Sequence, residues 1–350
     1  MTLQVETNIP PITLTHQYQT MKKLATIKEL PISHPTFQLI SSEWNSINNI
    51  NWTTFPHKAP FLIRAKNLST ALNIPYQNTF HRNEAVDPIP PWIDIKKIVN
   101  TKFAEKVNKD LSSQETIIEH NYIIESKYQN HLRIYTDGSK AEDNSTGAAF
   151  HLSDIFDSSW KLEPFHSIVA AELFAILQAL TFIYNNISPE TGVVILSDSK
   201  TSLYIIQNPY KTYTSLAFDI RKLILNIISR GQNLALQWIP AHKGIAGNEK
   251  ADKAANIARS NNIITQLVPN KEELITYLKK QTHLNFKNYW NENKNLTSLH
   301  NIRDEIGNLP WLDTNIREET RILNRLRSGH AGLNNYLYKK NQTDSPNCLN

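Results

Sequence analysis

Val193-Val194-Ile195-Leu196 is apolar at every position and closes on Ser197-Asp198-Ser199. Successive residues of a strand face opposite sides of a sheet, so a run without a polar position needs cover on both faces. This run therefore predicts a central, parallel strand with helices above and below it.

The sequence on either side supplies the cover. Upstream, Leu132-Arg133-Ile134-Tyr135 leads into Thr136-Asp137-Gly138-Ser139, and Gly147-Ala148-Ala149-Phe150 follows a polar turn. This reads as a hairpin arm with an acid at the end of its first strand. Trp160-Lys161-Leu162 is a third strand. Ser167 suits the N-cap of a helix over 168–183, where Val169, Leu173, Ile176, Leu177, Leu180 and Ile183 recur at helical spacing. Beyond the central strand the pattern predicts helices over 199–206 and 216–229 and a strand over 234–238. A loop over 239–247 and a helix from about 248 to 259 follow. The order β-β-β-α-β-α-α-β-α is an α/β arrangement: a mixed five-stranded sheet with helices on both faces.

The flanks carry weaker patterns. Residues 1–126 offer a helix over 14–30, ended by Pro31, then aromatic residues scattered among prolines and a linker-like Pro88, Pro90, Pro91. They read as a connector without a core of its own. Residues 262–350 read as a basic helical extension, with helices over 274–290 and 313–327. Arg317, Arg321 and Arg325 share one face of the second, a solvated basic face or a stripe for phosphates.

Composition narrows the setting. A formal charge of +5 and a pI near 9.0 are compatible with a polyanionic partner. Cys348 is the sole cysteine, so neither an intrachain disulfide nor a complete cysteine zinc site can form. No apolar run reads as a bilayer span and the N-terminus lacks a signal-peptide pattern, so an intracellular setting, nuclear or cytoplasmic, is expected.

Four acids stand where chemistry would want them. Asp137 ends the first strand, Glu172 lies in the first turns of the long helix, Asp198 ends the fourth strand, and Asp252 lies in the helix after the His242 loop. Strand ends and helix starts at one edge of an α/β sheet meet in a crevice. Four carboxylates there repel one another unless cations neutralise them. Hard oxygen ligands select Mg²⁺ or Mn²⁺, and two such ions can activate a water on one side of a phosphodiester and stabilise the leaving oxygen on the other. Each acid also has an ordinary explanation: Glu172 as a helix-dipole partner, Asp198 as an N-cap, Asp252 as a surface charge. Their joint order and spacing favour the site.

Four motifs resemble the type 1 ribonuclease H family: Tyr135-Thr136-Asp137-Gly138-Ser139, Ala170-Ala171-Glu172-Leu173, Leu196-Ser197-Asp198-Ser199, and Trp238-Ile239-Pro240-Ala241-His242-Lys243-Gly244 continuing through Gly247-Asn248-Glu249-Lys250-Ala251-Asp252. The resemblance covers about 132–258, with the domain placed at 127–261. It implies an RNase H-like fold and hydrolysis of the RNA strand of an RNA–DNA hybrid with two Mg²⁺ ions, Mn²⁺ being the alternative. Asp137 would bridge both metals. Asp198 would hold the ion that activates water, and Glu172 and Asp252 would help hold the other. His242 would move protons or assist product release from a mobile loop that Gly244 and Gly247 make flexible. Gly138, Ser139, Lys200, Lys243 and Asn248 would contact nucleic acid.

The chain departs from the family at the helix and strand motifs. Many cellular members carry asparagines just before the helix Glu and a Gln after the strand Asp, where this chain has 168–171 and Lys200. Selectivity for the 2′-hydroxyl is therefore more in question than the metal site. Residues 208–213 leave no space for an extra basic helix. The flanks, 6–35 and 299 onward including Arg325-Leu326-Arg327-Ser328-Gly329-His330 and Cys348, are similar to insect-type non-LTR retrotransposon polyproteins. That likeness implies a C-terminal piece of such a polyprotein, truncated at both ends, with Cys348 opening a Cys/His cluster. The partners expected are a hybrid and a reverse transcriptase domain rather than a membrane. The alternative function is a nucleic-acid-binding module that keeps the fold without turnover.

Overall fold

The computed structural model describes residues 5, 8–46, 59–74, 89–90, 92–101, 112–153, 155–208, 215–267, 269–296, 305–306, 317–327 and 334–347. The chain divides into two compact units. One comprises Met1–Leu24, Ile47–Leu72 and Ile275–Asn350, the other Ala25–Ser46 and Asn73–Leu274. In chain order the helices are α1 (Ile12–Lys28), α2 (Pro35–Ser46), α3 (Phe61–Ala71), α4 (Ile95–Ile98), α5 (Ser113–Tyr128), α6 (Ile168–Asn186), α7 (Lys200–Gln207), α8 (Ser215–Ser229), α9 (Ala246–Ala258), α10 (Lys271–Asn293), α11 (Arg317–Arg327) and α12 (Asn334–Lys339). The strands are β1 (Val99–Asn100), β2 (Leu132–Lys140), β3 (Thr146–Leu152), β4 (Phe156–Leu162), β5 (Val193–Ser197), β6 (Leu234–Trp238) and β7 (Ile264–Thr265).

The seven strands among the described residues form one mixed sheet in the order β1-β6-β5-β2-β3-β4-β7. The five expected strands are its centre. The two-residue β1 and β7, not expected from the sequence, extend its edges. The all-apolar run is β5, parallel to both β2 and β6 and buried along its whole length. Its alternate side chains serve two cores. Val193 and Ile195 pack with Leu173, Ile176, Leu180 and Ile183 of α6 and with Ile220, Ile224 and Ile227 of α8. Val194 and Leu196 pack with Ile123, Ile124 and Tyr128 of α5 and Ala251 of α9. Burying each of these larger side chains stabilises the sheet by roughly 1.5–3 kcal/mol.

Helix α6 is long and apolar enough, by length and composition, to cross a membrane, which revises the expectation that no run qualifies. Ten of its residues are instead buried in this fold, Glu172 among them. A buried core helix and a membrane span share a composition, and the packing distinguishes them.

Two sequence expectations need revision. Asp137 does not end its strand: β2 continues to Lys140, and Asp137, Gly138 and Ser139 pair with Ala149, Ala148 and Gly147. What ends near Asp137 is the pairing with β5, whose last partners are Thr136 and Ser197. Asp137 and Asp198 are thus the next residues along two adjacent parallel strands. Gly247 belongs to α9 rather than to a flexible loop. A Cβ there would lie 2.2–2.5 Å from ring atoms of Tyr135, so glycine lets the helix start sit on that ring.

Helix α5 crosses the expected domain boundary at 126–127. It opens with a capping box, in which the Ser112 side chain accepts from the Glu115 N–H and the Glu115 carboxylate accepts from the Ser112 N–H. In the other unit, Val5, Phe286, Trp290 and Ile306 form a small core with Leu14 alongside. Arg317, Arg321 and Arg325 of α11 are exposed, and Arg321 pairs with Glu318 at 3.1 Å. Cys348, residues 328–333 and 209–214 lie outside the described residues.

Candidate active site

The parallel register delivers two carboxylates side by side, and α6 brings a third. One carboxylate oxygen from each of Asp137, Glu172 and Asp198 lies within 4.8 Å of the others. Asp137 and Glu172 are each only 6% exposed. The helix can approach because position 138 is glycine. A Cβ there would lie 2.6 Å from the backbone N of Glu172 and 2.9 Å from the carbonyl carbon of Ala171. Backbone atoms cannot swing aside as a side chain can. Gly138→Ala is therefore expected to destabilise the fold by about 3 kcal/mol, read as a lowered urea midpoint; an unchanged midpoint would show that α6 yields freely.

Electrostatics show what the cluster lacks. Burial pushes the Asp137 carboxyl up to about 8, helped by the charges of Asp198 and Asp252, while the Gly138 N–H opposes the shift. Burial, with Asp137 and Asp198, holds Glu172 well above the ordinary glutamate range. Asp198 is raised mainly by burial, against the Asn248 amide and the His242 charge. Glu172 Oε2 is buried with no hydrogen-bond partner. A buried carboxylate oxygen without a donor is costly, and a cation shared with two neighbouring carboxylates relieves both the desolvation and the repulsion. Three hard oxygen donors fit Mg²⁺ or Mn²⁺.

Asp252, half-buried in α9, does not join that group of three within the same reach. Its charge nevertheless raises Asp137, Glu172 and Asp198 alike. It groups instead with His242 and Glu249, whose ligand atoms and its own lie within 4.8 Å of one another. Asn256 Nδ2 donates to Asp252 at 2.8 Å, and Ser139 Oγ donates to Asn256 Oδ1 at 2.7 Å. A chain of hydrogen bonds so fixes Asp252 to β2, the strand that carries Asp137. His242 is exposed and has a left-handed backbone, φ +50°, followed by Gly244 at φ +82°.

The residues expected to touch nucleic acid separate into two sets. Lys200 is exposed at the start of α7 and Lys243 half-buried beside His242. Gly138, Ser139 and Asn248 face inward. Gly138 packs on the α6 backbone, Ser139 is 8% exposed and holds Asn256, and Asn248 is 2% exposed. Asn248 Nδ2 donates to Asp198 Oδ2 at 2.9 Å, and the Trp238 indole N–H donates to the Asp198 carbonyl at 3.0 Å. The packing of β2 on α6 and α9 leaves these three residues little open surface.

Asn256 and Glu249 were not anticipated. The signal was the helical period: Asn248, Asp252 and Asn256 recur every fourth residue, and Glu249 stands three before Asp252. Such spacing puts the amides on the face that already held the acid.

Residues 129–260 match the family model for RNase H.

Proposed function

We propose that the chain, through its RNase H domain, hydrolyses the RNA strand of RNA–DNA hybrids in a divalent-metal-dependent endonucleolytic reaction. The observation that carries the reading is the buried, unpartnered Oε2 of Glu172 within 4.8 Å reach of Asp137 and Asp198. Such a cluster is unstable as an ornament of the fold and serviceable as a cation cradle.

Asp137, Glu172 and Asp198 would hold the metal, with Asp252 completing the set for a second ion. Bound Mg²⁺ would supply charge for the phosphoryl oxygens and lower the pKa of an attacking water. The chain's own contributions are positional. Asn248 orients the Asp198 carboxylate, and the Gly138 N–H steadies Asp137 and Glu172. Asn256 aims Asp252. His242, exposed and within reach of Glu249 and Asp252, can hold a proton at the solvent side of the site. Lys200 and Lys243 would meet the phosphate backbone, as the modest positive charge of the chain permits. The flanks make a retroelement polyprotein the proposed origin, with a reverse transcriptase domain as neighbour.

The purified chain should cut a labelled hybrid with Mg²⁺, leave duplex DNA and duplex RNA intact, and stop in EDTA. Asp198→Asn should lower the rate by about a hundredfold or more. Hybrid binding without cleavage by the native chain would replace this reading with that of a binding module, and cutting that survives EDTA would discard it.

A further inference from the structure

The segment that follows the RNase H domain reaches back to the helix bearing Glu172. After α9 the chain runs along β4: β7 pairs Ile264 with Lys161 and Thr265 with Leu162, and Lys161 Nζ donates to the Asn261 carbonyl at 2.9 Å. Leu267 N–H then donates to Glu163 Oε2 at 3.3 Å. At the start of α10, Glu273 Oε1 accepts from the Ser167 N–H at 2.8 Å and also from the Ser167 hydroxyl. The other oxygen, Oε2, lies 3.5 Å from His166 Nδ1.

Ser167 is the N-cap of α6, and its Oγ accepts from the Ala170 N–H at 3.1 Å. A hydroxyl can turn, and its lone pairs face the helix only while its proton is held elsewhere. Glu273 takes that proton and puts a negative charge at the positive end of α6. The same loop is tied to the catalytic strand. Lys140, the last residue of β2, donates to the Pro164 carbonyl at 3.0 Å and to the His166 carbonyl. His166 is fully buried, with Nε2 3.3 Å from Glu163 Oε2. Burial disfavours the imidazolium, yet the two glutamates outweigh it and raise the His166 pKa. Against the upward push of its own burial, His166 and Ser167 hold the Glu273 carboxyl below the ordinary glutamate value.

We propose that Glu273, outside the stretch 129–260, is a positioning residue: it orients the Ser167 cap, fixes the first turn of α6 against β2, and thereby holds the Glu172 carboxylate in place beside Asp137. The inference rests on the reading of those acids as the metal-binding site. Gly138 supplies the lever. The first turn of α6 touches β2 where Ala171 and Glu172 cross it, so a small rotation of the cap moves the carboxylate. The domain as it functions then extends through at least residue 273.

The test uses the full chain with Glu273→Ala and Glu273→Gln, and with Lys271→Ala as control. Lys271 pairs with Glu29 at 2.5 Å near the same helix start without touching Ser167. Glu273→Ala should raise the Mg²⁺ concentration for half-maximal hybrid cleavage about tenfold. Its KM for hybrid should stay near the native value, and amide exchange of residues 170–173 should speed up. Gln, which keeps an acceptor for the Ser167 N–H, should fall between Ala and native, and Lys271→Ala should match native. A Mg²⁺ midpoint and exchange pattern unchanged in Glu273→Ala would overturn the proposal, as would an equal shift in Lys271→Ala. Should the native chain cut no hybrid, the proposed activity fails and the role of Glu273 is judged by Mn²⁺ titration calorimetry. Binding about tenfold weaker in Glu273→Ala supports it, and equal binding overturns it.

Discussion

Asp137→Asn is expected to abolish hybrid cleavage and, in the same molecule, to stabilise the metal-free fold. The two effects have one cause. Asp137 is buried and its carboxyl is pushed up to about 8 by that burial and by the nearby charges of Asp198 and Asp252. Without a cation the site must either keep a proton or hold like charges at close range, and both oppose folding. Asparagine has nearly the same shape and no charge, so the metal-free protein should gain on the order of 2 kcal/mol, a rise in Tm of roughly 5 °C. The same change removes the central donor of the cradle, and the rate should drop about a thousandfold or more. Paired thermal scans in EDTA and cleavage assays in Mg²⁺ read both quantities. A variant that loses activity and stability together would show that Asp137 is a structural residue and that the electrostatic account is wrong. Mg²⁺ should also narrow the stability gap, because it binds the native site more tightly than the variant.

The elements that position this site were legible because their patterns were extreme. The apolar run 193–196 admits burial on both faces alone, and its two sets of alternate side chains do meet two separate cores. Ser167 announced α6, and the order of strands and helices from 132 to 259 is the order observed. The closing of Asp137, Glu172 and Asp198 into one group followed from neighbouring positions where two parallel strands stop pairing and from a nearby helix start. Other features hid for physical reasons. Helix α5 was passed over although Ser112 and Glu115 have capping-box spacing, because its buried face mixes Thr116 and His120 with Ile123 and Ile124 and so lacks apolar contrast. β1 and β7 are two residues long, too short for any period to show. The inward roles of Ser139 and Asn248 depend on packing between distant segments. A polar residue near a catalytic acid reads equally well as a surface contact or as a support behind the site. Glu273 lay still further off, in a helix whose start bears no mark of its partner.

The three site acids should make the metal-free protein less stable as pH rises from about 4 toward 8, against His120, whose pKa burial lowers to about 4, and Mg²⁺ should reverse the trend set by the acids. Asp137, Glu172 and Asp198 all have carboxyl pKa values above those of the unfolded chain. Across that window the native state therefore holds more protons than the unfolded state, and stability declines by about 1.4 kcal/mol per pH unit for each extra proton held. His166 acts in the same direction, since a raised histidine contributes below its unfolded value and loses that contribution as pH climbs through the folded one. Glu273 acts oppositely and in the acid range: its lowered carboxyl contributes above the unfolded value and ceases to as pH falls through the folded one. Cations compete with protons for the same oxygens, so the stabilisation by Mg²⁺ should be larger at about pH 8 than at about pH 5. Urea midpoints measured with EDTA and with Mg²⁺ at both values decide the matter. A Mg²⁺ increment equal at the two values would mean that the three acids are not charging one another in the folded chain. Activity should run the other way, rising with pH as the carboxylates release their protons to solvent and become free to bind the metal. A site that opposes its own fold when empty and is stabilised when filled would couple the folding of this unit to the cation that the proposed chemistry requires.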